Sequence, residues 1–268
     1  MIQTKKISRF KLAVDDVHGA IELWPLWFRL GWNDILHRYR RSTLGPLWFT
    51  ASMAITTVAL GLVYSQVLNL PARELMPHVC IGLIVWAFIN SIILEAGDLF
   101  TGAESYIRHI KLPYSIYVFR FVLSKVIIFA HDFPIAVVTL AFFRIWPGPV
   151  ALYAVPGFLL LVVNGGLISI SLGLVSARFR DIPRIIASLS QIIFLITPII
   201  WMPSLLGERS YLAEANPFFH LIELVRAPLL GSAPSVRTLV VTLALTVINL
   251  LLAATLFARY RNRIAYWI

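Results

Sequence analysis

Residues Ile145 to Ala177, IWPGPVALYAVPGFLLLVVNGGLISISLGLVSA, run for 33 positions without a charge. A helix rises about 1.5 Å per residue and a bilayer core is about 30 Å thick, so roughly 20 apolar residues make one crossing. The stretch is long enough to span a membrane and too long to do so once. Pro147, Pro149, Pro156 and Gly157 mark its first part as a turn. Similar uncharged runs flank it: Leu44 to Ala72, Leu75 to Leu94, Ile185 to Gly207 and Thr238 to Ala258. A further run from Lys125 to Phe143 is interrupted by His131 and Asp132. The pattern predicts an all-α integral membrane protein with six transmembrane helices, at about 46–68, 76–94, 115–143, 151–175, 185–203 and 238–258. The flanks divide off a cytoplasmic N-terminal segment at 1–45 and a basic tail at 259–268, with the transmembrane domain between them at 46–258.

Bulk composition agrees. The 268 residues are 59% hydrophobic and 13% charged, against roughly 25% charged in soluble proteins, and the mean hydropathy is +0.82. Disorder is excluded, and a water-soluble globule could not hide so much apolar surface. The net charge of +10 need not mean nucleic acid, because the cations are sorted by side. Sixteen Lys and Arg lie before the first span, in the second and fourth links and in the tail; five lie on the other side. The positive-inside rule then puts both termini in the cytoplasm. A lone Cys80 excludes an intramolecular disulfide, and six scattered histidines give no metal-ligand spacing. The N-terminus lacks the short apolar core and small-residue site of a cleaved signal.

The links carry the remaining information. AIELWPLWFRLGWNDILHRYRR, residues 20–41, mixes Leu23, Trp24, Trp27 and Leu30 with charges at helical spacing, as in an amphipathic helix lying in the interface. Between spans two and three, Glu104 to Ile110 has room for about two helical turns before Pro113 stops it. The longest link, about 204–237, brackets Phe218 to Leu230 with Pro217 and Pro228. That segment is too short to cross, and a re-entrant or interfacial helix pair between spans five and six fits. Gly165, Ser169 and Gly173 form a small-residue stripe for helix packing. Ser190, Phe194, Thr197 and Trp201, with Gln191 beside them, make a stripe on span five; Phe49, Ser52 and Thr56, next to Trp48, make one on span one. Such stripes either bury against another helix or line a conduit whose rings stack on sugar faces. Arg120 and Lys125 are placed to snorkel, and Asp132 to pair with His131 or with a cation on a neighbouring helix.

No Gly-Lys dipeptide occurs, so a phosphate-binding Walker loop is absent, as are G-x-G-x-x-G and G-x-S-x-G. ATP-driven transport would need a separate ATPase, with ATP and Mg held there and no cofactor in this chain.

Four ordered stretches carry a family likeness. RYRRSTLGPLW (Arg38 to Trp48) resembles the R-Y-x-x-S/T-x-L-G-x-x-W approach to span one of the ABC type-2 export permeases. YIRHIKLPYSIYVFR (Tyr106 to Arg120) resembles their L-I-x-K-x-x-F-P segment, with Leu112 in place of the usual Phe. ARFRDIPRII (Ala177 to Ile186), followed by T-P-I at Thr197 to Ile199, matches the R-D-I segment, and NPFFHLIELVR (Asn216 to Arg226) the N-P-x-x-x-x-I-x-x-x-R stretch. The likeness runs from about residue 20 to the end and is nearest to the polysaccharide exporters for O-antigen, capsule and teichoic acid.

The resemblance implies a homodimer with two cytoplasmic nucleotide-binding ATPase subunits, moving a glycan on a polyprenyl-pyrophosphate lipid. It makes Glu104, Ser105, Tyr106, Ile107, Arg108, His109 and Ile110 the ATPase-coupling helix, and puts an external gate around Asn216, Pro217, Glu223 and Arg226. Arg38, Arg40 and Arg41 then stand where a lipid pyrophosphate would enter, since guanidinium grips phosphate with paired hydrogen bonds. Trp48, Phe49, Ser52, Thr56, Ser190, Gln191, Phe194, Thr197 and Trp201 would line the path. The alternatives are an ABC type-2 exporter of a drug or small lipid, and an ATP-independent carrier or intramembrane enzyme.

Overall fold

The computed structural model describes residues 8–40, 45 and 47–268, leaving aside the side chains of Tyr39 and Phe49. The described residues contain helices and no strand. In order they are α1 (Arg9–Glu22), α2 (Trp24–Tyr39), α3 (Leu47–Val67), α4 (Ala72–Glu95), α5 (Glu104–His109), α6 (Ser115–Phe142), α7 (Ala154–Arg178), α8 (Ile182–Ile196), α9 (Tyr211–Glu214), α10 (Pro217–Leu229), α11 (Val236–Tyr260) and α12 (Ile264–Trp267). Five helical stretches are long and apolar enough to cross a bilayer: Thr50–Val67, Ala72–Asp98, Ser115–Phe142, Gly148–Arg178 and Val236–Trp267.

The axis of the bundle is α4. Its residues from Leu75 to Ile93 are buried on nearly every side, and α3, α6, α7, α8 and α10 pack around it. Close approach depends on small residues. A Cβ at Gly165 would stand 2.5 Å from Ile92 Cδ1, and one at Gly157 would stand 2.4 Å from the Leu224 carbonyl of α10. Backbone at that distance has nowhere to go, so Gly157 lets α10 lie directly on α7. The opposite surfaces of α3, α8 and α11 expose apolar side chains such as Ile55, Leu195 and Leu251, as lipid-facing helices do, where every backbone polar group is already bonded within the helix.

The helix predicted within 20–41 is α2 (Trp24–Tyr39), and a further helix, α1, precedes it. Pro25 has no N–H for a carbonyl in the preceding turn, so α1 stops at Glu22 and α2 restarts at Trp24. Trp27 closes the break by donating its indole Nε1–H to the Ala20 carbonyl at 3.1 Å. The two faces of α2 differ. Trp24, Phe28, Trp32 and Leu36, at four-residue spacing, are exposed. Trp27, Gly31 and Ile35 turn inward, with Trp27 5.5 Å from Phe119 of α6. An exposed apolar stripe on a helix clamped along the bundle suits the membrane interface. The tail is folded too: Ile264 is fully buried and Arg178 lies over the Trp267 ring.

The fifth predicted span is the main departure. Over 185–203 the sequence pattern calls for one helix, yet α8 ends at Ile196 after 15 residues, or about 22 Å. Pro198 disfavours helical backbone at the residue before it, and Thr197 is extended with ψ 133°. Residues 197–201 run non-helically beside α4, with Thr197, Pro198 and Ile199 buried. The long link that follows contributes a single substantial helix, α10. It is wedged among the first turns of α4, α7 and α11, through His78, Gly157 and Thr238.

Candidate functional site

A helix that stops inside a membrane protein leaves carbonyls that neither water nor helix can satisfy. Here side chains supply the donors. Asn216 Nδ2 reaches the Thr197 hydroxyl at 2.8 Å and the Ile196 carbonyl at 3.5 Å. Arg226 Nη1 donates to the Pro198 carbonyl at 2.8 Å. His78 Nε2 lies 3.2 Å from the Trp201 carbonyl and 3.0 Å from Arg226 Nη1. Arg226 is 0% exposed, and its charge is met by Glu223 one turn back on α10, with Nε to Oε1 at 2.7 Å. The Asn216 side chain also caps α10 by accepting from the Phe218 N–H. His220 completes the region, between the Thr238 hydroxyl and the Glu214 carbonyl. Asn216 and Arg226, ten residues apart, thus serve the same break in α8, and Pro217 opens the helix that carries Arg226.

The other end of the bundle is charged and open. Arg38, in the last turn of α2, lies 3.1 Å from Glu95 at the end of α4, and Glu95 lies 2.6 Å from Lys125 of α6. Arg120 makes a two-pronged pair with Asp34 of α2, at 2.6 and 2.5 Å. Snorkelling, the sequence expectation for Arg120 and Lys125, is not what they do. Lys125 is 1% exposed and held by a carboxylate. Two cavities meet at Arg38 and Glu95. One, of about 460 Å³, is lined by Asp34, Tyr117 and Arg120. The other, of about 350 Å³, extends between α3, α4 and α6 past Ser52, Thr56, Trp86, Asn90 and Asp132.

From Glu95 the chain makes two 3-10 turns into α5. No residue of α5 is buried. Glu104 pairs with Arg108 at 2.8 Å, Arg108 also donates to the Ile268 carbonyl at 2.7 Å, and Arg120 sits over the Tyr106 ring. The far side of α5 leads through Pro113 to α6, whose start is pinned by a buried carboxylate. Asp16 of α1 accepts from the N–H groups of Tyr114 and Ser115, at 3.1 and 2.9 Å, from the Ser115 hydroxyl, and from Arg261. Burial raises the Tyr114 hydroxyl above the usual phenol range, Arg261 opposes this and Asp16 adds to it. The exposed α5 is thus connected to α4 through two 3-10 turns and to α6 through the Asp16-pinned Tyr114 and Ser115.

The residues singled out by sequence are divided by this arrangement. Ser52 and Thr56 line the 350 Å³ cavity with Arg38. Ser190 and Phe194 face α4: the Ser190 hydroxyl donates to Asn90, and the Phe194 ring is 5.9 Å from Trp86. Thr197 and Trp201 lie beyond the end of α8, so the four-residue stripe with Ser190 and Phe194 is not one helix face. Thr197 is 1% exposed and bonded to Ile193 and Asn216. Gln191 and Trp48 are exposed, as is Arg40. Arg41 and the Phe49 side chain lie outside the described residues. Asp132 does not pair as expected; its Oδ1 has no hydrogen-bond partner among the described residues. The reading of the sequence missed Asp16, Asp34, His78 and Glu95. The signal for two of them was present, since Arg120 and Lys125 inside a span require partners, and Asp34 and Glu95 are carboxylates near the same end.

The family model for the ABC-2 type transporter matches residues 25–230. Among curated proteins, the chain is 22% identical over 238 residues to the O-antigen export system permease protein RfbA of Myxococcus xanthus, covering 87% of this chain and 91% of that one. It is also 22% identical over 196 residues to the O-antigen export system permease protein RfbA of Klebsiella pneumoniae, covering 71% and 74%.

Proposed function

The chain belongs to the ABC-2 type transporter family, and from that premise we propose that it is the membrane half of an ATP-driven exporter of a glycan carried on a polyprenyl-pyrophosphate lipid. The observation that carries the reading is the likeness, over 87% and 71% of this chain, to two proteins named as O-antigen export permeases. Two copies would form the conduit, each with a nucleotide-binding subunit at the basic end, and the sorting of cations supports a cytoplasmic position for that end. The ATPase subunits hold ATP and Mg; this chain has no Walker loop of its own.

The coupling element is α5. It offers an exposed pair of turns bridged by the Glu104–Arg108 pair. A push on it is transmitted to Glu95 on one side and to the Asp16-pinned start of α6 on the other. Those two helices carry Glu95 and Lys125, so the same stroke alters the spacing around Arg38. The Arg38, Arg40 and Arg41 cluster receives the pyrophosphate, and Glu95 holds Arg38 until phosphate oxygens compete for it. The α10 wedge, with Asn216, Pro217, Glu223 and Arg226, forms the outer gate and moves with α4 as one body.

Affinity capture of the tagged chain from its native membrane, followed by mass spectrometry, tests the reading. An ABC ATPase subunit co-purifies in near-equal amount, and Tyr106→Ala with Arg108→Glu removes most of it while the permease stays folded. Capture of the chain with no ATPase, or unchanged capture by the double variant, rejects the coupling account.

A further inference from the structure

Asp132 lies two helical turns beyond Lys125 on α6, or about 10 Å deeper into the bundle by helix rise. It is 4% exposed, yet its Oδ1 has no hydrogen-bond partner among the described residues. The neighbouring His131 does not serve it: its ring Nδ1 is engaged with the Ile127 carbonyl at 2.7 Å. A buried carboxylate oxygen is ordinarily supplied with donors, and one that is not marks a place where something else provides them. Asp132 lines the 350 Å³ cavity that begins at Arg38, and Asn90 and Trp86 stand on the same wall system. The indole is held by Phe194 and Phe218 at 5.9 and 6.0 Å. The cavity volume falls at the low end of the range for small-molecule sites. Its lining is mostly apolar; to the Arg38–Glu95–Lys125 cluster it adds a second carboxylate, an amide, the hydroxyls of Ser52, Thr56 and Ser91, and an aromatic surface.

That combination suits a polyhydroxylated ring. Hydroxyl groups donate to a carboxylate more strongly than to a neutral acceptor, and a ring bearing C–H groups packs against an indole. The cationic rim at Arg38 and the acceptor at Asp132 are separated along the groove, as the phosphate and sugar of one glycolipid head are. We propose that this cavity is a sugar-recognition subsite, in which the Asp132 carboxylate accepts from a hydroxyl or amide N–H of the pyranose attached to the pyrophosphate. This rests on the glycolipid reading of the cargo and adds to it that the first sugar, as well as the phosphates, is read before export.

The test uses the purified transporter with its ATPase subunits and two soluble probes: farnesyl pyrophosphate and farnesyl pyrophosphate bearing one N-acetylglucosamine. The wild type binds the glycosylated probe about tenfold more tightly, the worth of one hydrogen bond to a charged group. Asp132→Asn erases that preference and leaves binding of the sugarless probe unchanged. Thr56→Trp, which fills the cavity from an exposed face of α3, erases it too and serves if the Asp132 variant does not assemble. A preference retained in these variants overturns the subsite. So does an equal loss for both probes in Asp132→Asn, which would make Asp132 a structural residue. Equal binding of both probes by the wild type overturns the subsite and leaves the glycolipid cargo standing. Binding of neither probe overturns both.

Discussion

At the break in α8, the carbonyls of Ile196 and Pro198 are met by Asn216 and Arg226, His78 Nε2 lies against both Arg226 and the Trp201 carbonyl, and the buried Arg226 has its carboxylate in Glu223. In the groove between α3, α4 and α6, Asp132 Oδ1 is buried with no donor among the described residues, and Arg38 and Lys125 share Glu95. Both regions are polar and both are walled by α4. The first is bonded within itself, side chain to backbone and cation to carboxylate. The second has an acceptor to spare and charges that can exchange partners. A polar group in a membrane protein is thus informative only with its hydrogen-bond account: a closed account holds the fold, and an open one is where a ligand is to be sought.

The contrast can be broken most directly at Arg226. Replacing it with Leu strands Glu223 and leaves the Pro198 carbonyl without its donor, and breaking a buried pair in this way costs about 3–5 kcal/mol. Thermal unfolding in detergent should show a large fall in the midpoint or loss of the folded species; a variant as stable as wild type would remove the closed network from the fold's support. Next in size is removal of charge at the groove mouth. Arg38→Gln, Arg40→Gln and Arg41→Gln together should cut surface glycan roughly tenfold or more, the weight of a charge-assisted bond, while the unfolding midpoint stays near wild type. Normal export with confirmed insertion would reduce those arginines to topology signals. Smaller still, Asn216→Ala should cost about 1 kcal/mol through the lost α10 cap. Asp132→Asn should change stability by less than about 0.5 kcal/mol, because no internal bond is lost. If Asp132→Asn were as damaging as Arg226→Leu, the two regions would not differ in kind.

Much of the fold could be read from uncharged runs, since a bilayer imposes a length and a composition that few other environments do. The five long spans fall where those runs fall. The reading failed where a local backbone preference overrode hydropathy. Residues 185–203 are uncharged throughout, but Pro198 ends α8 early, and the donors that make the break tolerable come from residues up to 28 positions away, as Arg226 to Pro198 shows. At the candidate site, the arginines and the exposed α5 were visible as charge and length. Glu95 and Asp34 were not, because a partner is defined by proximity and sequence separation hides it: Arg38 and Glu95 are 57 residues apart. Thr197 and Trp201 were placed on a helix face that does not exist beyond Ile196.

The central claim is that this chain moves its cargo only when an ATPase drives it from the basic end. Reconstitution into liposomes with and without the co-purified ATPase subunits, supplied with a fluorescent polyprenyl-pyrophosphate glycan, measures this directly. The account predicts ATP-dependent movement of the glycan across the bilayer by the full assembly and none by the permease alone. Movement by the permease alone, or none by the full assembly with ATP, would contradict it.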